Sequence, residues 1–229
     1  MSVSKEEQAL QAVIFDLDGV ITDTAKYHYE AWKQLAEELG IPFDREFNEQ
    51  LKGIDRMASL EKILGQLPDG GTSFTLEHKQ ELTARKNGNY QQLIQAVDES
   101  EILPGILELF HELKQAGVPI GLASASRNAE TLLRQLKVES YFDAVVDPAS
   151  VARGKPAPDI FLRAAEELGA DPRYCVGVED AEAGVQAIKS AGMFAVGVGD
   201  AEILSNADYV VPDTSKLSLA VIRQHVAAR

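Results

Sequence analysis

The stretch Ala12-Val13-Ile14-Phe15-Asp16-Leu17-Asp18-Gly19 constrains the fold most. It begins as an unbroken apolar run of strand length and ends on two carboxylates. A run without polar alternation fits a strand buried on both faces, as in a parallel sheet. Similar runs recur at Val118–Ala123, Ala144–Asp147, Tyr174–Val178 and Phe194–Val198. Helical patterns lie between them: Ile106, Leu109, Phe110 and Leu113 before Gly117; Ile160, Phe161, Ala164, Ala165 and Leu168 before Gly169; Val185 and Ile188 before Gly192. Apolar residues at helical spacing followed by glycine mark a helix and its stop. Strand and helix alternating from Ile102 onward predict an α/β fold, a doubly wound, Rossmann-like parallel sheet.

The stretch from Thr24 to Glu99 reads differently. Helices are expected over Tyr27–Leu39, Asn48–Leu64 and Leu76–Val97, with a loop at Gln66–Ser73 and no strand. The first strand therefore precedes a helical insert. The expected organisation is an α/β core from residues 1–23 and 100–229, interrupted by a helical cap at 24–99. A chain of 229 residues buries enough surface to need no staple. Cys175, the only cysteine, excludes an internal disulfide and reads as a buried strand residue.

The formal net charge is −14, a surface that repels nucleic-acid phosphates and anionic lipid. No apolar run approaches the ~18 residues of a membrane span, and Met1–Leu10 holds no apolar signal core. A cytoplasmic protein that engages neither nucleic acid nor membrane is expected. An anionic small molecule remains possible if the chain supplies a local positive pocket.

In open α/β sheets ligands bind beyond the carboxyl ends of the strands. Here the first strand ends in Asp16 and Asp18, the second in Ser124-Ala125-Ser126, and a later one in Glu179-Asp180; Lys155 precedes a helix that starts at Pro158-Asp159. Two like charges ~4 Å apart repel by about 4 kcal/mol at an effective dielectric near 20. Four converging carboxylates therefore call for a hard divalent cation, Mg²⁺, with Lys155 balancing further charge. Asp16 and Asp18 share a face of an extended strand and can address one reacting centre, one as nucleophile and one as general acid/base. Singly, each acid reads as a solvated helix-capping residue; two acidic pairs, each ending a buried strand, reverse that reading and favour a site.

These residues resemble the four motifs of the haloacid dehalogenase superfamily. Val13-Ile14-Phe15-Asp16-Leu17-Asp18-Gly19-Val20 is similar to the first, and Ser124, Lys155 and Glu179-Asp180 to the others. Phe47–Gly53, Ala123–Ser126 and Lys155–Asp159 extend the resemblance to the superfamily's sugar-phosphate mutases, over nearly the whole chain. It implies interconversion of β-glucose 1-phosphate and β-glucose 6-phosphate through β-glucose 1,6-bisphosphate. Asp16 would be the phosphorylated nucleophile and Asp18 the acid/base. Mg²⁺ would be held by Asp16, the Asp18 carbonyl, Glu179 and Asp180. Ser124, the Ala125 amide and Lys155 would hold the phosphoryl group in transit. Arg56, with Ser126 and Asn128, would grip the other phosphate; Gly53, Ser59 and Lys86 would line the sugar side, and His28 would sit at the hinge. Arg127 stands where relatives carry lysine; both are cations, though a guanidinium grips a phosphate differently.

Without the resemblance, Arg56 and Lys86 read as surface charges, His28 as either a surface histidine or a hinge element, and Trp32 as packing. The alternative function is a sugar-phosphate phosphatase sharing every core residue. A non-catalytic binding protein is disfavoured by the intact Asp16, Asp18, Lys155 and Asp180. A monomer is expected, since a cap must swing.

Overall fold

The computed structural model describes residues 10–227; positions 1–9, which hold nearly all of the polar N-terminal stretch, and positions 228–229 lie outside the described residues. The elements are β1 (Ala12–Phe15), α1 (Ala25–Glu38), α2 (Arg45–Glu49), α3 (Arg56–Leu64), α4 (Leu76–Leu93), α5 (Ile106–Gln115), β2 (Ile120–Leu122), α6 (Ala129–Gln135), β3 (Ala144–Val145), α7 (Asp159–Glu167), β4 (Cys175–Glu179), α8 (Glu182–Ser190), β5 (Phe194–Val198), β6 (Tyr209–Val211) and α9 (Leu219–Val226).

The six strands form one parallel sheet in the order β3-β2-β1-β4-β5-β6. Every residue of β1, β4 and β5 is buried, as the unbroken apolar runs require. Alternate side chains of β1 enter different cores: Val13 and Phe15 pack with α5, α6 and α9, whereas Ala12 and Ile14 pack with α7 and α8. The strand order reverses beside β1, which pairs with β2 on one side and β4 on the other. That switch point opens a crevice at the carboxyl ends of the strands.

Between β1 and β2 the described residues form helices and turns without a paired strand, apart from isolated bridges that Thr22 makes to Asp18 and Ile102. These helices carry a third apolar cluster, with Trp32, Leu35, Leu60, Ile63 and Leu82 at its centre. The single helix expected over Asn48–Leu64 is two. Gly53 takes φ +72°, open to glycine at little cost, and Asp55 restarts the chain as the α3 cap, its Oδ1 accepting from the amides of Met57 and Ala58 at 2.8 and 3.0 Å. The sequence reading also missed β6, whose three residues are too few to show a pattern.

Candidate active site

Backbone pairing brings three strand ends together. Asp16 donates its amide to Val178 O at 2.9 Å, and Ala123 donates to Phe15 O at 2.9 Å. Asp16, Ser124 and Glu179 therefore emerge side by side from β1, β2 and β4. Lys155 reaches in from the loop before α7. Its Nζ donates to Oδ1 of Asp16 at 2.6 Å and to Oε2 of Glu179 at 2.7 Å, all three buried. Burial works to lower the lysine pKa, but the two carboxylates outweigh it and raise it, so the ammonium stays charged.

One ammonium faces more than its share of acids. Oxygens of Asp16, Glu179 and Asp180 lie within 4.8 Å of one another. Burial, then the charge of Asp16, pushes the Asp180 carboxyl up to about 7. The backbone keeps this space clear: a Cβ at Gly19 would overlap the Asp180 carboxylate, and one at Gly184 would overlap that of Glu179. Oxygen-only donors, surplus negative charge and a crowded acidic cluster fit a hard divalent ion, and Mg²⁺ suits this set.

Asp18 faces the helical segment. Thr24 Oγ1 donates to its Oδ1. Burial, then the neighbouring charge of Asp16, raises the Asp18 pKa to about 8, so the group is protonated at neutral pH. Nε2 of His28 lies 3.8 Å from Asp18 Oδ2, while Nδ1 is 2.7 Å from Nζ of Lys86. His28 also stacks on Tyr90 with ring centroids 4.1 Å apart. Burial and then the charge of Lys86 hold the histidine pKa well below its usual value, so it is neutral. Lys86 is buried, its Nζ 4.7 Å from the Trp32 ring centroid. The bland surface reading of Lys86 fails on this burial.

These groups line a cavity of about 640 Å³. Asp16, Asp18, Ser124, Ala125, Lys155 and Asp180 form its sheet side. Gly53, Arg56, Ser59, His28 and Lys86 form the helical side, and Ser126 and Arg127 close it. Glu179 sits just behind, through Lys155 and the metal-type cluster. Asn128 is not in the wall; its amide bonds to Asn87 and Gln91 instead. Arg56 and Arg127 are close enough to repel: burial, then the charge of Arg127, lowers the Arg56 pKa. Among the described residues neither these arginines nor Lys86 has a carboxylate within ion-pair distance. In a chain of net charge −14, unpaired cations around one cavity mark a site for an anion.

Sequence reading overlooked Thr24 and Tyr90. Thr24 precedes α1 and looks like an ordinary cap, and Tyr90 falls on a helix with a weak apolar pattern. It treated Trp32 as packing alone, which holds for its burial in the third cluster, yet the ring also faces the cavity.

Fold and site define a class: the haloacid dehalogenase-like hydrolase family matches residues 10–192, and the chain belongs to it. Within that family it is 54% identical to the β-phosphoglucomutase of Bacillus subtilis, over 94% of this chain and 95% of the relative. The crystal structure of β-phosphoglucomutase from Clostridium difficile superposes with a TM-score of 0.93 at 45% identity, covering 96% of this chain and 98% of the other. Identity to the fructose-1-phosphate phosphatase of Escherichia coli is lower, 34% over 81% of this chain and 95% of that one.

Proposed function

We infer that the protein interconverts β-D-glucose 1-phosphate and β-D-glucose 6-phosphate through β-D-glucose 1,6-bisphosphate, as an isomerase of the phosphotransferring kind. The observation that carries this reading is the cavity's two charged ends: an acid–lysine cluster at the strand ends, and the unpaired pair Arg56 and Arg127. A bisphosphate has two anionic ends, and a monophosphate phosphatase has no need of a second grip.

The helical segment 24–99 acts as a cap over the core 1–23 and 100–229. An Asp16 oxygen attacks one phosphorus of the bisphosphate. The bond from that phosphorus to the sugar oxygen breaks, and protonated Asp18 delivers its proton to that oxygen. A sugar monophosphate and the aspartyl phosphate result. When the 1-phosphoryl has been taken, glucose 6-phosphate leaves. The 6-hydroxyl of an incoming β-glucose 1-phosphate then attacks the aspartyl phosphorus as the bond to Asp16 breaks, its proton returning to Asp18. The bisphosphate so re-formed reorients to present its other phosphate to Asp16. Ser124, the Ala125 amide and Lys155 hold the phosphoryl oxygens during transfer; Asp16, the Asp18 carbonyl, Glu179 and Asp180 would hold Mg²⁺, which would supply further charge neutralisation. Arg56, helped by Ser126 and Arg127, holds the phosphate that is not reacting, and Asn128, outside the cavity wall, backs that loop. Gly53, Ser59, Lys86 and His28 face the sugar, and the neutral imidazole of His28 beside Asp18 helps to shield it from water. The protein works as a cytoplasmic monomer.

Product analysis tests this. Purified protein, Mg²⁺, β-glucose 1-phosphate and a trace of the 1,6-bisphosphate are expected to give glucose 6-phosphate with little free phosphate, and the α anomer none. Free phosphate outpacing glucose 6-phosphate would instead establish a phosphatase.

A further inference from the structure

Asn128 is 6% exposed and immediately precedes α6, on the sheet side of the cleft. Its Nδ2 donates to Oδ1 of Asn87 at 2.9 Å, and its Oδ1 accepts from Nε2 of Gln91 at 3.1 Å. Asn87 and Gln91 are four residues apart on α4 and so share a helix face. Three amides thus join the helical segment to the sheet domain, with both polar atoms of Asn128 engaged.

The neighbours of this cluster are the cavity's own residues. Asn87 follows Lys86, and Asn128 follows Arg127. The backbone amide of Asn128 donates to Ser126 Oγ at 3.3 Å, and that of Ser126 to Ser124 Oγ at 3.1 Å. A continuous run of hydrogen bonds therefore leads from α4 into the loop at Ser124–Arg127. Neutral amide hydrogen bonds are individually weak once water competes, so two of them can release for substrate exchange.

We propose that Asn87 and Gln91 are positioning residues acting through Asn128: the amide clasp holds α4 against the loop Ser124–Arg127 and keeps water from the cavity while Asp16 carries the phosphoryl group. The proposal rests on the mutase reading for its consequence, but the clasp itself is measurable without it.

The donor and acceptor assignments give the test. Position 87 only accepts, so Asn87→Asp preserves its bond; position 91 only donates, so Gln91→Glu removes it, as do Asn87→Leu and Gln91→Leu. Hydrogen exchange on the substrate-free protein is expected to speed up in the α4 segment 86–93 for the three disruptive variants and to stay at the parent level for Asn87→Asp. In the product assay, free phosphate per glucose 6-phosphate is expected to rise about three- to tenfold in the disruptive variants and to change less than about twofold in Asn87→Asp. Circular dichroism checks folding, and exposed Gln91 gives variants that keep the helix intact. Unchanged exchange in both Gln91 variants overturns the clasp, and so does Asn87→Asp behaving like Gln91→Glu, since charge alone would then explain both. Altered exchange with an unchanged product ratio overturns its role in excluding water. A parent enzyme that itself releases mainly phosphate strikes the mutase reading, while the exchange result still judges the clasp.

Discussion

Thr24 Oγ1 donates to Asp18 Oδ1 and makes no cap hydrogen bond to α1, the helix that it precedes. A side-chain cap is worth about 1 kcal/mol, so the helix forgoes that stabilisation and the acid/base group gains a fixed orientation. Thr24→Val is therefore expected to leave thermal stability nearly unchanged but lower kcat by about 10- to 100-fold, because the carboxyl is free to rotate. Thr24→Ser should retain most activity. Asp18→Asn should cost about 10²- to 10⁴-fold, the usual range for a lost general acid/base. Steady-state kinetics with a melting curve for each variant checks both. A Thr24→Val enzyme with parental kcat would show that Asp18 needs no such anchor.

Arg56 lies on the helical side of the cavity without an acidic partner among the described residues, beside the cation Arg127. Removing it relieves a like-charge repulsion, so Arg56→Ala should not destabilise the empty protein. It should lower kcat/KM by about 10- to 100-fold, the equivalent of one charge-assisted hydrogen-bonded contact. Arg56→Lys should recover only part, since lysine lacks the planar fork that matches a phosphate. An alanine variant with parental kcat/KM would remove Arg56 from the phosphate grip.

The acidic cluster makes a separate statement about stability. With Asp180 pushed up to about 7 by burial and by Asp16, repulsion destabilises the metal-free fold near neutral pH. Asp180→Asn should therefore melt no lower than the parent when both are treated with chelator. Mg²⁺ should raise the parent's melting temperature, by an amount that corresponds to about 2.7 kcal/mol at a hundred times the dissociation constant. The same addition should do much less for Asp180→Asn. A parent melting curve indifferent to Mg²⁺ would exclude this cluster as its site.

Most of the sheet was legible because burial on both faces leaves its strands as plain apolar runs. Asp16, Ser124 and Glu179 could be placed at one crevice from the order of those runs alone, since parallel strands share a carboxyl end. The helical side was not legible in the same way. Lys86 carries the signature of a surface residue, and only the fold reveals that it is buried against Trp32 and His28. The break at Gly53 was missed because helical periodicity runs on either side of it; the positive φ is a property of the fold. Asn128 was expected to help grip a phosphate, and its pairing with Asn87 and Gln91 joins residues 41 and 37 positions apart, which no local pattern announces.

Cys175 opens β4 and is buried, and burial, then the charge of Asp171, pushes its thiol up to about 12. The thiolate is the reactive form, so the native protein should resist a disulfide reagent at pH 8 and react with one equivalent only when unfolded. The linkage follows in sign. Below the ordinary thiol value of about 8.5 both states are protonated and the residue adds no pH dependence. Above it the unfolded chain loses the proton while the folded one keeps it until about 12, so stability falls as pH rises through that window. Denaturant melts at pH 7.5 and 10 should show a loss at the higher pH that is smaller in Cys175→Ala, after allowance for the variant's lower starting stability. An equal loss in both proteins would assign the alkaline decline to other groups.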